Sequence, residues 1–312
     1  MKRYILSCLL CISSQLVFAQ QSDSLANVTK IIQPPKDTIW TRGATFGLNF
    51  NNVSLTNWSG GGQSALSFTA IVLGNLNYHK ERVHWSNFID LAYGVQRVGK
   101  SSVPFKKTED RIYFQTKLAI EHTKKIRYAA LADFRSQFAD GYTYYDDLPI
   151  DSAKKISNFL APAFITVSLG IEYVPFKSTS FLFSPVAAKY TIVNNTRLSN
   201  LGAYGVTPGS KFKEEYGLSF TFRYKAEVVK NVTFATQLFL FNNYKNTNVD
   251  VFWDCFLFLK VNKFLTTTFT TNLVYDDDFD VVRDNGTLGP ATQFKSVLAI
   301  GLIYKLNGYG VR

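Results

Sequence analysis

The sequence predicts an all-β fold: a transmembrane antiparallel up-and-down β-barrel of about 12 strands with both termini on the periplasmic side. Three observations predict it. Apolar and polar residues alternate with a period of two over segments a dozen or so residues long, the links between those segments alternate between short and long, and the chain opens with an export signal.

Lys2 and Arg3 precede an apolar run from Tyr4 to Phe18, with Val17 and Ala19 at the small-residue positions that signal peptidase reads. Residues 1–19 are therefore expected to be a signal peptide cleaved near Ala19/Gln20, since the run is shorter than the roughly 20 residues a spanning helix needs and has the wrong flanks. Cys8 and Cys11 lie too early in it for lipid attachment. Cys255 is then the only cysteine of the mature chain, so no internal disulfide framework is possible. Loss of Lys2 and Arg3 lowers the formal net charge from +11 to +9. A basic balance suits anionic headgroups or acidic ligands, and export argues against nucleic acid as the partner.

Residues 20–41 are polar, lack the alternation and contain Pro34-Pro35, which reads as a periplasmic lead-in, with a lumen plug as the other use of such a segment. From 42 to 312 the chain reads as the barrel. The full 312-residue chain carries 27 phenylalanines and 17 tyrosines against one methionine, an enrichment in strand formers. Glu215 to Glu227 is the clearest strand. Tyr216, Leu218, Phe220, Phe222, Tyr224 and Ala226 fall on one face, and Glu215, Gly217, Ser219, Thr221, Arg223, Lys225 and Glu227 on the other.

Arg111 to Glu121 and Ile126 to Phe138 repeat the pattern. Ordinary strands average about five or six residues, whereas strands crossing a bilayer need about nine to eleven. The expected strands are 42–56, 64–78, 83–98, 109–122, 126–138, 162–174, 179–193, 214–228, 231–243, 248–261, 264–276 and 293–306. Short links (His79 to Arg82, Thr123 to Lys125, Pro175 to Ser178, Val229 to Lys230, Asn262 to Lys263) alternate with longer ones such as Ala139 to Pro162, Asn194 to Lys213 and Asp277 to Thr292. Tyr244 to Thr247 is the least distinctive link. Short periplasmic turns and long outer loops are the habit of outer-membrane barrels.

The lipid-facing side is expected to carry Phe46, Leu48, Phe50, Leu66, Phe68, Val72, Ile89, Leu91, Leu238, Leu257, Leu259, Leu298, Ile300 and Leu302. Trp40, Tyr78, Trp85, Tyr173, Tyr224, Tyr275 and Tyr304 fall near the headgroup boundaries, where rings with one apolar and one hydrogen-bonding edge settle. The inner face of a soluble sandwich is the rival reading, but so many mid-strand charges do not suit it. The lumen-facing charged set is Asp90, Lys117, Glu121, Arg127, Asp133, Arg135, Glu172, Lys189, Arg223, Lys225, Asp254, Lys260 and Lys295. In a narrow barrel opposite charges pair across strands; in a wide one they line water and set ion preference.

Other features weigh less. Asn57-Trp58-Ser59-Gly60-Gly61-Gly62 lacks the lysine and following helix of a phosphate loop and reads as an outer turn. Asp276, Asp277, Asp278, Asp280 and Asp284 with Asn285-Gly286 offer oxygens for calcium, but the spacing does not match a calcium loop, so a solvated outer loop is expected. His84 and Ser86 share a face, as a base and nucleophile would, but beside a short periplasmic turn rather than the outer surface where a barrel phospholipase meets lipid. With three histidines in all, a histidine metal site is not expected. No catalytic, cofactor-binding or metal-binding residue is assigned.

Asn57-Trp58 with Gly60-Gly61-Gly62, Trp85-Ser86-Asn87 before Tyr93-Gly94, Tyr275-Asp276-Asp277-Asp278, and Gly289-Pro290 with Gln293-Phe294-Lys295 and Gly301 before Tyr304 together resemble an uncharacterised outer-membrane barrel family of Bacteroidetes type. The resemblance implies a barrel in the outer membrane and no assigned activity. The chain continues past the usual terminal aromatic with Leu306-Asn307-Gly308-Tyr309-Gly310-Val311-Arg312.

Three functions are consistent with this sequence. The first is a passive outer-membrane barrel, either a pore for small hydrophilic solutes or a filled barrel presenting loops. The second is an accessory barrel subunit of an outer-membrane assembly or secretion complex, and the third a lipid hydrolase. Expected partners are outer-membrane lipids and, through Lys100, Lys106, Lys107, Lys154, Lys155, Lys211 and Lys213, lipopolysaccharide phosphates.

Overall fold

The computed structural model describes residues 39–55, 63–99, 102–143, 154–245, 248–262, 264–278, 280–282 and 287–310. The expected signal peptide, residues 20–38 of the lead-in, the glycine-rich turn after Thr56, Lys100 and the 283–286 part of the acidic loop lie outside them.

In chain order the strands are β1 (Trp40–Val53), β2 (Ala65–Lys80), β3 (Val83–Val98), β4 (Lys106–Glu121), β5 (Ile126–Ser136), β6 (Gly141–Thr143), β7 (Lys154–Ser157), β8 (Ala163–Phe176), β9 (Thr179–Ile192), β10 (Phe212–Val229), β11 (Val232–Asn243), β12 (Val249–Lys260), β13 (Leu265–Tyr275), β14 (Asp280–Val282), β15 (Leu288–Pro290) and β16 (Gln293–Gly310). Twelve of them close into one barrel in the order β1-β16-β13-β12-β11-β10-β9-β8-β5-β4-β3-β2. Each barrel strand is antiparallel to its neighbours in sequence. The ring shuts where β1 meets β16, from Trp40 opposite Gly310 to Asn49 opposite Gly301. Closure pairs the first barrel strand with the last, so that neither is left as the edge of an open sheet.

Barrel strands run from 11 residues in β5 and β13 to 18 in β10 and β16. Their positions agree with the expected ones to within a few residues. β1 starts at Trp40, inside the expected lead-in, because Trp40 and Thr41 pair with both Tyr78–Asn77 of β2 and Gly310–Tyr309 of β16. The turn between β10 and β11 is Lys230-Asn231, one residue later than expected, since Val229 still pairs with Val232. Asn231 takes a φ of 65°, the left-handed conformation that asparagine tolerates and that two-residue hairpin turns demand.

The five short turns lie at one end, together with the start of β1 and the end of β16. The longer connections lie at the other. Three of these carry structure that periodicity did not reveal: the β6/β7 hairpin, the β14/β15 hairpin, and a short helix, α1 (Thr196–Asn200), followed by a 3-10 turn (Ala203–Gly205). Elements of three to five residues are too short to display a period. The loops interlock. Ala161, Val193, Leu198 and Val206 form a small apolar cluster, and the Tyr204 hydroxyl donates to the Ile156 carbonyl at 2.7 Å. Lys155 pairs with Asp140 and holds that carboxyl below its usual range.

Along the barrel strands the more buried residues tend to fall on one face and the more exposed on the other, most regularly in β2 and β10. Outside lie Phe46, Leu48, Phe50, Phe68, Ile89, Leu259, Leu298, Ile300 and Leu302, with Leu48, Phe50, Ile300 and Leu302 all more than half exposed. Leu66, Val72, Leu91, Leu238 and Leu257 share that parity at intermediate exposure. Rings gather at both rims. At the turn end Trp40 meets Tyr78 and Trp85 edge-on at 5.0 and 6.0 Å; at the loop end Tyr190 contacts Phe212 and Tyr216 at 5.7 and 6.4 Å. On β3, Trp85 and Tyr93 bracket an outer stretch on the order of 20 Å tall, given a strand rise of about 3.3 Å per residue and a tilt near 40°. That is close to the ~25 Å apolar band of a barrel membrane protein.

At the β9/β10 irregularity, a Cβ on Gly217 would fall 1.9 Å from the Asn242 carbonyl oxygen of β11. Gly217→Val is therefore expected to lower barrel stability by about 3 kcal/mol or more. The check is gel mobility of unheated samples against temperature, where the compact band should be lost at a clearly lower temperature than in the parent.

Candidate functional site

The interior of the barrel is the site the fold builds, and it is crossed by side chains from wall to wall. Nearest the loops, Lys189 of β9 reaches Asp250 of β12 at 2.7 Å and Asp276, just past β13, at 2.8 Å, with Glu215 at 3.8 Å. Lys213 meets Glu215 at 3.3 Å and Asp278 at 2.6 Å. All three acids around Lys189 are buried, so each charge depends on the ammonium for compensation.

One level in, Arg111 grips Asp90 through two nitrogens at 3.0 and 3.1 Å and contacts Glu109 at 3.2 Å. Lys295 of β16 crosses to Glu109 of β4 at 2.7 Å, from four strands away around the ring. Arg135 pairs with Asp133 at 3.2 Å, and its guanidinium lies 5.2 Å from the ring centres of both Tyr113 and Phe252 and 5.9 Å from that of Phe239. A cation over several rings in a water-poor space gains more than it would at a surface. Asp254 accepts from Asn272 at 2.6 Å. Around these groups is a cavity of about 440 Å³ lined by both charged and aromatic side chains, among them Glu109, Arg111, Tyr113, Arg135, Phe252, Asp254 and Lys295.

Nearer the turns, Glu172 binds Lys117 and stands 3.8 Å from Arg127, which also meets Glu121 at 3.1 Å. Arg223 donates to Gln237 at 2.9 Å and, from four strands away, to Gln115 at 2.6 Å. A second cavity, of about 290 Å³, opens here beside Lys225. Gln237 lines the first cavity and Arg223 the second, so their hydrogen bond lies between the two.

Apolar residues complete the filling. Ile71 and Leu73 of β2, Ala92 of β3, Ala235 of β11, and Phe256 and Phe258 of β12 form one buried cluster, with Phe88 packed against it. β3 and β11 are six strands apart in a ring of twelve and thus face each other across the lumen. Phe256 and Phe258 stack at 5.9 Å, and neither is more than 2% exposed.

Among the charged residues singled out from sequence, Asp90, Asp133, Glu172 and Lys189 are buried, Lys117, Glu121, Arg127, Arg135, Arg223 and Lys295 take part in the contacts above, and Asp254 lines the first cavity. Lys225 borders the second, and Lys260 stands exposed at the end of β12. Sequence reasoning missed Glu109, Asp250 and Asp276 as interior groups. It also missed the inward phenylalanines. The signal was present in Ala70-Ile71-Val72-Leu73 and Phe256-Leu257-Phe258-Leu259, runs apolar on both faces where a strand between lipid and water should alternate.

The acidic loop requires a correction. Asp276 is fully buried against Lys189 rather than solvated, and Asp278 is bound to Lys213. Asp250, Asp276 and Asp277 bring carboxylate oxygens within 4.8 Å of one another, but the Lys189 ammonium already bonds the first two. Among the loop lysines, Lys107, Lys155 and Lys213 are held in ion pairs, which reduces the charge available to an external phosphate. His84 directs Nε2 to Glu121 at 2.6 Å and stacks on His79, so this nitrogen serves a carboxylate and not Ser86.

A family model described as a protein of unknown function (DUF3078) matches residues 50–142. No curated protein matches the chain in sequence. Similar solved structures include the translocator domain of the autotransporter NalP from Neisseria meningitidis, at 7% identity and a TM-score of 0.37 over 87% of this chain and 90% of that one. An outer membrane channel from Pseudomonas putida F1 is 8% identical, with a TM-score of 0.40 over 88% of this chain and 100% of its own. The NanC porin is 11% identical, with a TM-score of 0.37 over 86% and 100%. The fold of the present chain stands on its own β1–β16 closure.

Lys189→Met is expected to destabilise the barrel by about 3–5 kcal/mol, because it leaves buried carboxylates without their cation. Adding Asp250→Asn should recover part of that loss. Denaturant titration of the two single variants and the double variant checks this, and additive losses would show that the groups are not coupled.

Proposed function

We propose that the chain is an outer-membrane barrel with an occluded lumen, which presents its interlocked loops at the outer surface and does not act as a general diffusion pore. The bilayer assignment is supported by the closed ring, the apolar outer band between two aromatic rims, and the polar interior that such an outside leaves for the charges. With short turns facing the periplasm, both ends of the barrel lie on the periplasmic side.

The observation that carries the occluded reading is the apolar cluster joining opposite walls. A lumen that conducts water and ions is lined by polar groups that stay hydrated, whereas here Phe256, Phe258 and Leu73 are nearly inaccessible to solvent. Above that cluster, ion pairs between strands four apart add polar crossbars. These bonds must break before a solute can pass.

Planar bilayers containing the purified barrel test this reading. The parent should show no stable conductance steps, and the double substitution Phe256→Ala, Phe258→Ala should introduce them. Stable ion-conducting steps in the parent would refute an occluded lumen. Recovery of the unmodified protein in a detergent-free soluble fraction would refute the membrane assignment.

A further inference from the structure

The inner of the two cavities has an unbalanced charge. Five cationic side chains border it, Lys117, Arg127, Lys177, Arg223 and Lys225, and one carboxylate, Glu172, which is already shared by the first two. Arg223 spends its hydrogen bonds on the neutral amides of Gln115 and Gln237. Lys225, half-buried on the inward face of β10, has no carboxylate within ion-pair distance among the described residues. Lys117 and Arg127 each have an acidic partner at 3.2 Å or closer, as do Arg111, Arg135, Lys189 and Lys295 elsewhere in the interior, whereas among the described residues Lys177, Arg223 and Lys225 have none within ion-pair distance.

Like charges confined in a space poorer in water than bulk repel strongly, and an anion bound from outside the chain relieves that repulsion. The groups present also suit a particular ligand. A guanidinium and an ammonium with a hydroxyl nearby, here Ser180, form the donor set that binds tetrahedral oxyanions. The cavity, at about 290 Å³, admits such an ion with some of its water. We propose that this cavity is a binding site for a small oxyanion of the phosphate or sulfate class, with Lys225 and Arg223 as its principal ligands and access from the turn end of the barrel.

The site does not depend on whether the lumen conducts. Inorganic phosphate and sulfate are the probes, added to the detergent-solubilised full barrel, with sodium chloride at matched ionic strength as the control. Phosphate should raise the thermal midpoint by several degrees over chloride and saturate with concentration, and Lys225→Met should weaken its apparent affinity at least tenfold while the variant's midpoint in chloride stays at or above that of the parent. Lys225→Arg should retain binding, so that loss in the methionine variant reads as loss of charge and not of packing.

Should Lys225→Met fail to fold, phosphorus NMR line broadening on the parent, and its reversal by excess sulfate, supplies the same test. An equal response to phosphate and to chloride, or an undiminished phosphate response in Lys225→Met, would overturn the proposal. Neither result bears on the bilayer conductance measurement, so the two readings fail separately.

Discussion

A backbone placed in hydrocarbon must satisfy every amide and carbonyl from within, and that constraint shapes everything else in this chain. The β1–β16 seam is where it is met. Ten consecutive residue pairs, from Trp40–Gly310 to Asn49–Gly301, join the first and last barrel strands, without which both would present bare edges. Closure then sorts the side chains. Period-two alternation sends Phe46, Leu48 and Phe50 outward and Thr45, Gly47 and Asn49 inward, and the same division recurs on each strand. The interior therefore receives the polar half of every strand whether or not a pore is built there.

What the chain does with that interior distinguishes it. Charges withdrawn from water are tolerated only when paired, and here some of the pairing runs along the wall while several of its bonds cross between strands that are not neighbours. Lys295 reaches Glu109, Lys189 reaches Asp250 and Asp276, and Arg223 reaches Gln115, each from strands that are not neighbours. Between these polar bridges the aromatic side chains of Phe239, Phe252, Phe256 and Phe258 take up the remaining width, and Arg135 joins the two kinds of contact by lying over rings while bound to Asp133. The two cavities are what this bracing leaves over. Each cation lining the outer one has an acidic partner within ion-pair distance, whereas Arg223 and Lys225 at the inner one have none among the described residues.

Much of the fold was legible because a strand with two unlike environments writes its period into the sequence over a dozen residues. β3 runs over Val83–Val98, as its alternation indicates, and the ends of β11 and β12 fall within a residue or so of expectation. Loop chemistry was not legible. Asp276 reads as part of an exposed acidic run because its burial is set by Lys189, 87 positions away, and no local pattern records a contact of that span. The inward apolar residues lay between these cases. Their two-sided runs were visible in β2 and β12, but an interior read as polar side chains, whether paired across strands or lining water, gives such runs no place, so that expectation concealed them. The short β6/β7 and β14/β15 hairpins were lost for want of length.

The central claim is that the two faces of each strand meet lipid on one side and a packed, braced interior on the other. Spin labels placed singly along β10 at Leu218, Ser219, Phe220, Thr221 and Phe222, in a Cys255→Ser background reconstituted in liposomes, measure both faces at once. Collision with dissolved oxygen should be high at Leu218, Phe220 and Phe222 and low at Ser219 and Thr221, with a water-soluble nickel chelate excluded from all five. Oxygen accessibility without a period of two, or free access of the chelate to Ser219 and Thr221, would contradict it.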